Sequence, residues 1–188
     1  RTRILRKHLI SLNYVIIAFK PMISKFGFLE ALIRNIKKPD LVWVPCFRQR
    51  DILSASKWCK RKRVKLIIDP LISSWDKKVH EKTQILSKKK SEYLKSYESF
   101  LFNKADIVLA DTNLHADLFH KILKVKQSKI FILYVGAEES LFRPSSTKNR
   151  PTKKFEILFY GSFISLHGTH TIINSSKILG VLAWPMRR

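Results

Sequence analysis

The sequence predicts an α/β fold: a doubly wound parallel sheet of Rossmann-like type, followed by the truncated start of a second α/β domain. Short β-rich apolar runs alternate with segments of helical periodicity along the chain, and strands alternating with helices join most simply as right-handed crossovers of a parallel sheet. Several of these runs end in polar or glycine residues, as strands do when their carboxyl ends border a ligand cleft. With 188 residues and 45% hydrophobic content, the chain has enough apolar surface to build a core.

Each element has its own signal. Leu5, Leu9 and Leu12 recur at helical spacing, and the continuous run from Tyr14 to Phe19 predicts a strand. Phe26 to Ile36 returns to helical spacing. Pro39 and Asp40 interrupt it, and Leu41 to Val44 predicts a short buried strand ending at Pro45. Ile52, Ala55 and Cys59 set an apolar stripe on the next helix, whose other face carries Lys57, Lys60, Arg61 and Lys62. Val64 to Ile68 predicts a strand closed by Asp69-Pro70. In the longer insertion from Leu71 to Ala105, Leu86, Tyr93, Tyr97, Phe100 and Leu101 trace a helical stripe with core periodicity. Ile107 to Ala110 is the next strand, Asp111 and Thr112 are cap-type residues, and Leu114, Leu118 and Ile122 mark the helix that follows. Ile130 to Val135 predicts a further strand that ends at Gly136.

The stretch SSTKNRPTKK is polar, charged and interrupted by proline, which predicts a linker over 145–154. It divides an N-terminal domain, 1–144, lacking its first strand, from the beginning of a second domain, 155–188. There Phe155 to Tyr160 predicts a strand and Thr169 to Leu179 a helix with Ile172, Ser176 and Leu179 inward. Gly161 lets the backbone turn closely past a ligand and Gly168 admits a helix start, a layout that presents backbone N–H groups to an anion. The opening arginine and the closing GVLAWPMRR lead to the expectation of a fragment of a longer protein.

The formal charge of +23, from 37 basic and 14 acidic residues, favours phosphate-rich partners or solvated basic helix faces. Cys46 and Cys59 have no zinc or redox spacing, and no apolar run reaches the length of a membrane span. GxGxxG, Walker, GxSxG and HExxH motifs are absent, which argues against classical dinucleotide binding, P-loop hydrolysis, lipase-type catalysis and zincin chemistry. The scattered histidines do not match metal-ligand spacing, so no metal is expected. Asp69 and Asp111, each at a strand end, suit a sugar hydroxyl, a proton transfer or a helix cap. Arg48 and Arg50, just past Pro45, suit a phosphate clamp or a solvated loop.

Taken together, these residues resemble the GT-B glycosyltransferases of group 1, or family 4. DIVLADTNLHADLF (Asp106 to Phe119) and KIFILYVGAEESLFRP (Lys129 to Pro144) resemble the close of that family's N-terminal domain. FEILFYGSFISLHGTHTIINSSKIL resembles the opening of its C-terminal domain, and VWVPCFRQRD and VKLIIDPLISSWD add a bacterial-subgroup flavour. The resemblance implies two Rossmann-like domains across a cleft, the acceptor held by the first and a nucleotide-sugar by the second. Transfer would need no metal and no cofactor. It also implies donor-side roles for Gly161, Ser162, His167 and Gly168, and places Gly136 and Glu138 in the loop that lines the cleft from the acceptor side, beside Arg48, Asp69, Asp111 and Thr112. Ser162 and His167 stand where the family usually has arginine and lysine. The paired-glutamate motif of the family lies beyond the resemblance, so the chain alone is expected to be inactive.

The leading expectation is therefore transfer of a sugar to a glycan or lipid-linked acceptor in cell-envelope polysaccharide synthesis, in the cytoplasm and peripherally on an anionic inner membrane face. A basic nucleic-acid-binding module is the alternative, ranked lower because the aromatics follow core periodicity. A sugar-nucleotide epimerase is a third.

Overall fold

The computed structural model describes residues 2–80, 86–143, 158–159, 161 and 167–179. Its centre is a sheet of four strands, β1 (Leu41–Val44), β2 (Lys65–Leu71), β3 (Ile107–Ala110) and β4 (Ile130–Ile132), all parallel and in sequential order. Helices α1 (Thr2–Ser11), α2 (Gly27–Ile33), α3 (Ile52–Lys62), α4 (Ser74–His80), α5 (Lys88–Phe102), α6 (Asn113–Asp117) and α7 (Thr169–Ile178) accompany it. One π-helical turn, Leu118–Ile122, continues α6. The α/β class and the parallel sheet are thus as the alternating pattern predicts.

The core lies between this sheet and one helical layer. Val44, Leu66, Ile68, Val108 and Ala110 share one face of the sheet through the register Val44↔Ile68↔Val108, and all are buried. Against them pack Ile52, Trp58 and Cys59 of α3, Leu101 and Phe102 of α5, and Phe119 and Leu123 beyond α6. The Phe102 and Phe119 rings meet edge to face, 5.2 Å between centroids at 87°, which is the geometry the ring quadrupole favours. Truncating either to alanine would cost about 3–5 kcal/mol. Helix α3 touches α5, and α5 reaches the segment after α6 through Ser99 Oγ donating to the Leu123 carbonyl at 2.6 Å, so these helices lie on the same side.

That arrangement differs from a doubly wound sheet. Strand order runs 1-2-3-4 without reversal among the described residues, and right-handed crossovers stepping always in one direction lay their helices on one face. The opposite face is more open: Leu41 is 46% and Phe131 53% exposed.

Several local expectations are corrected. Tyr14–Phe19 forms no strand; Asn13 turns the chain at φ 63° after α1, and Val15 is 91% exposed. Among the described residues its β-rich composition finds no partner strand, since there β1 pairs only with β2. Strand β2 continues through Asp69 and Pro70 to Leu71, so Asp69 sits inside the strand, fully buried, instead of closing it. Strand β4 stops at Ile132, and Tyr134 and Val135 are exposed.

On α5 the stripe Tyr93, Tyr97 and Phe100 faces solvent, and Leu101, Phe102 and Glu98 are the buried residues. The same rotation applies after β3, where Leu114 is 81% exposed and Ala116 and Phe119 face the core. On α7 only Thr169 is buried, and Ile172 and Leu179 are exposed. The expected linker at 145–154 lies outside the described residues, as does the Phe155–Tyr160 strand apart from Leu158 and Phe159, which belong to no element.

Candidate functional site at the carboxyl rim of the sheet

A parallel sheet gathers the loops that leave its strands on one rim. Here those are 45–51 after β1, 72–76 after β2, 111–115 after β3 and 133–139 after β4. Ligands of open α/β sheets bind at this rim.

At its centre Asp69, fully buried, accepts a hydrogen bond from the Cys46 thiol, Sγ to Oδ2 3.3 Å. Gln49 crosses the same gap and donates to the carbonyls of Pro70 (3.0 Å) and Ile72 (3.3 Å). Arg48, half-buried, donates from Nε to Asp51 at 2.6 Å. It therefore closes its own turn, with its charge already matched by a carboxylate. Arg50 is exposed.

Two strained residues flank this cluster. Phe47 (φ 62°) and Leu71 (φ 64°) hold left-handed backbone conformations, which cost a residue with a Cβ roughly 1–2 kcal/mol. The other non-glycine examples have ordinary reasons: Asn13 and Asn35 are asparagines in turns, and Arg63 and Lys124 follow helix ends. Leu71 is the centre of a tight turn, with the Ile72 N–H donating to the Pro70 carbonyl at 2.8 Å. It coincides with the register shift between Ile68 and Leu71 on β2. Unfavourable conformations kept at adjacent strand ends are characteristic of ligand sites.

On β3 the roles divide. Thr112 is the N-cap of α6, its hydroxyl accepting the His115 N–H at 3.2 Å. Asp111 is not the cap; its Oδ1 is hydrogen-bonded to Nδ1 of His115, one helical turn away. His115 was not anticipated, although a carboxylate and an imidazole spaced i, i+4 are readable from DTNLH.

On the loop after β4, Gly136 has open space around it. Glu138 is engaged by α1: Lys7 donates to its Oε1, and Arg3 Nε stands 4.0 Å from its Oε2. The Lys7 hydrogen bond first, against partial desolvation, and then Ser140 and the charges of Lys7 and Arg3 hold this carboxyl below its ordinary range. The residues expected on the acceptor side thus share one rim, but Arg48 and Glu138 are each paired within the protein.

The residues expected on the donor side belong to a separate stretch of the chain. A Cβ at Gly161 would stand 3.0 Å from the His167 ring and 3.1 Å from the Phe159 ring, so any larger residue there would push these rings back by a few tenths of an ångström. Gly168 holds φ 61° as the N-cap of α7, as a glycine at a helix start allows. Ser162 lies outside the described residues. Among the described residues no group of three His, Cys, Asp or Glu side chains converges as a metal site, and no helix is long and apolar enough to cross a membrane.

The rim's charge bears on what it can hold. Arg48 and Arg50, with Arg3 and Lys7 reaching in from α1, are outnumbered there by Asp51, Asp69, Asp76, Asp111, Glu138 and Glu139, and buried or paired carboxylates suit hydroxyl groups better than phosphates. The chain is an α/β protein with a parallel, Rossmann-like sheet. No protein-family model matches it, and no curated protein matches it.

Proposed function

We propose that the chain is the acceptor-side part of a GT-B glycosyltransferase, which moves a sugar from a nucleotide-sugar to a glycan or lipid-linked acceptor. The observation that carries this reading is the Cys46–Asp69 cluster between strained Phe47 and Leu71, on the rim where α/β sheets hold ligands. A carboxylate-rich rim is chemically suited to a polyhydroxylated acceptor. Gly161 and Gly168, close-packed and left-handed respectively, support a tight backbone turn for a diphosphate in a second domain. On this reading the doubly wound character and the second domain belong to the complete enzyme, no metal or cofactor takes part, and the protein works at the cytoplasmic membrane face in envelope polysaccharide synthesis.

The test is thermal unfolding against a panel of nucleotide-sugars and free oligosaccharides. Saturation at a hundred Kd adds about 2.7 kcal/mol, a rise of roughly 5–11 °C for a chain of this size. A rise with one nucleotide-sugar or one glycan, abolished by Asp69→Asn for the glycan, supports the reading. An unchanged midpoint with every compound overturns it.

A second reading, a basic nucleic-acid-binding module, draws on the exposure of Tyr93 (67%), Tyr97 (42%) and Phe100 (46%) among the lysines of α5. Tyr93→Ala/Tyr97→Ala weakening RNA binding by about 1–3 kcal/mol per base lost would favour it.

A further inference from the structure

The opposite rim, where chain enters each strand, has a different chemistry. The four entering stretches read KKPD (37–40), KRKRVK (60–65), NKAD (103–106) and KVKQSK (124–129), with eleven lysines and arginines against two aspartates, Asp40 and Asp106. Parallel topology collects these separate clusters on one edge. Helix carboxyl ends also point there and attract cations, but each carries only about half a charge. The ends of α3, α5 and the π-helical turn together offset a charge or two, which leaves most of the surplus unexplained by helix stability.

A cleft of about 350 Å³ opens in this rim, lined by Lys60 and Arg63 at the end of α3, Lys65 at the start of β2, and Lys104 and Asp106 before β3. Its one carboxylate is already satisfied: Asp106 accepts the Leu66 N–H at 2.9 Å and Lys65 Nζ at 3.1 Å. Lys104 stands over the Phe100 ring, 4.3 Å from its centroid. Among the described residues the side chains of Lys60 and Arg63 make no hydrogen bond or ion pair. Arg63 moreover occupies the left-handed position after α3 (φ 55°, ψ 52°), where glycine is the ordinary and less strained choice. The Arg63 guanidinium thus lines a cationic cleft, and its planar fork has no partner among the described residues. That fork matches phosphate bidentately.

We propose that this cleft binds a phosphate group, held by Arg63 and Lys60 with Lys104 beside them, while the Lys65–Asp106 pair frames the site. It lies on the rim opposite the proposed sugar cleft and does not depend on that reading. The phosphate comes either from a small soluble molecule or from a lipid headgroup.

Isothermal titration of the whole chain with inorganic pyrophosphate, and sedimentation with vesicles containing phosphatidic acid, at roughly 0.15 M salt, separate these sources. Saturable binding in either arm, weakened about tenfold or more by K60Q/R63Q yet changed less than about twofold by K88Q/K89Q, supports the site. Pyrophosphate binding alone identifies a soluble source, and vesicle binding displaced by pyrophosphate a headgroup. Arg63→Gly separates binding from folding, because it relieves the left-handed strain: the variant unfolds at higher denaturant and still binds about tenfold more weakly. Equal losses in the two double variants mean that net charge alone attracts anions and overturn the proposal. So do an absence of saturable binding in both arms, and RNA binding that pyrophosphate cannot displace.

Discussion

Glu98 Oε1 accepts the backbone N–H of Ser74 at 2.8 Å, so the first turn of α4 is capped by a carboxylate that α5 supplies. Its other oxygen accepts Ser73 Oγ and the Trp75 N–H (3.1 Å), and Glu98 is 4% exposed. One buried side chain thus satisfies two of the donors that a helix start leaves open and ties the two helices of the 71–105 insertion together.

Glu98→Ala is expected to destabilise the protein by about 3 kcal/mol, since it strands buried donors as well as removing charge-assisted hydrogen bonds. Glu98→Gln keeps an acceptor and is expected to lose roughly half as much. Urea unfolding measures both; equal stability of wild type and Glu98→Ala would refute the capping role.

Phe47→Gly is expected to stabilise the fold by about 1 kcal/mol, because it removes the left-handed cost of a residue whose side chain is 67% exposed. If the strain serves the rim, the more stable variant binds its glycan more weakly. A lower urea midpoint for Phe47→Gly would show that the Phe47 side chain contributes more to packing than its conformation costs.

Acid sensitivity follows from two carboxyls held below their ordinary range. Burial pushes Asp106 up, but the Leu66 N–H, the hydrogen bond and charge of Lys65 and the charge of Lys129 outweigh it; Glu138 is lowered chiefly by Lys7. For a depressed carboxyl the stabilisation is complete above the unfolded-state value and is lost as pH falls through the folded one. Asp106→Asn and Glu138→Gln are therefore expected to be less stable than wild type at neutral pH and to converge with it in acid. A gap that stays constant down to low pH would contradict this.

Cys59 is 3% exposed, and burial first, then the Asp106 carboxylate, push its thiol up to about 11. Only the thiolate reacts, so alkylation of Cys59 at mild alkaline pH is expected to proceed no faster than unfolding. Labelling of Cys59 within minutes in a Cys46→Ser background, with the fold intact by circular dichroism, would rule this out.

The alternation of strand and helix was legible because strands of a parallel sheet read as short apolar, β-branched runs, as in Ile107–Ala110 between two neighbours and, at the sheet's edge, Leu41–Val44. The phase of the helices was less so. On α5, Tyr93, Tyr97 and Phe100 share the 3.6-residue period of Leu94, Leu101 and Phe102, and apolar spacing alone does not say which stripe turns inward. The buried member that decides it is Glu98, a charged residue whose partners on Ser73–Trp75 come from another part of the chain. Tyr14–Phe19 misled for a related reason: β-propensity is realised only against a neighbouring strand.

At the rim, Asp69, Asp111 and Thr112 were readable as polar residues near strand ends. The pairing of Cys46 with Asp69 and the strain at Phe47 and Leu71 depend on register across β1 and β2, which no single segment encodes.

Because the strand order is sequential, every strand of the sheet adds onto the one made just before it. Among the described residues no strand must wait for a partner encoded later, so the sheet can grow in step with synthesis on the ribosome, each closure spanning only the one or more helices between consecutive strands. The edge left waiting for its next neighbour during that growth is always the newest one.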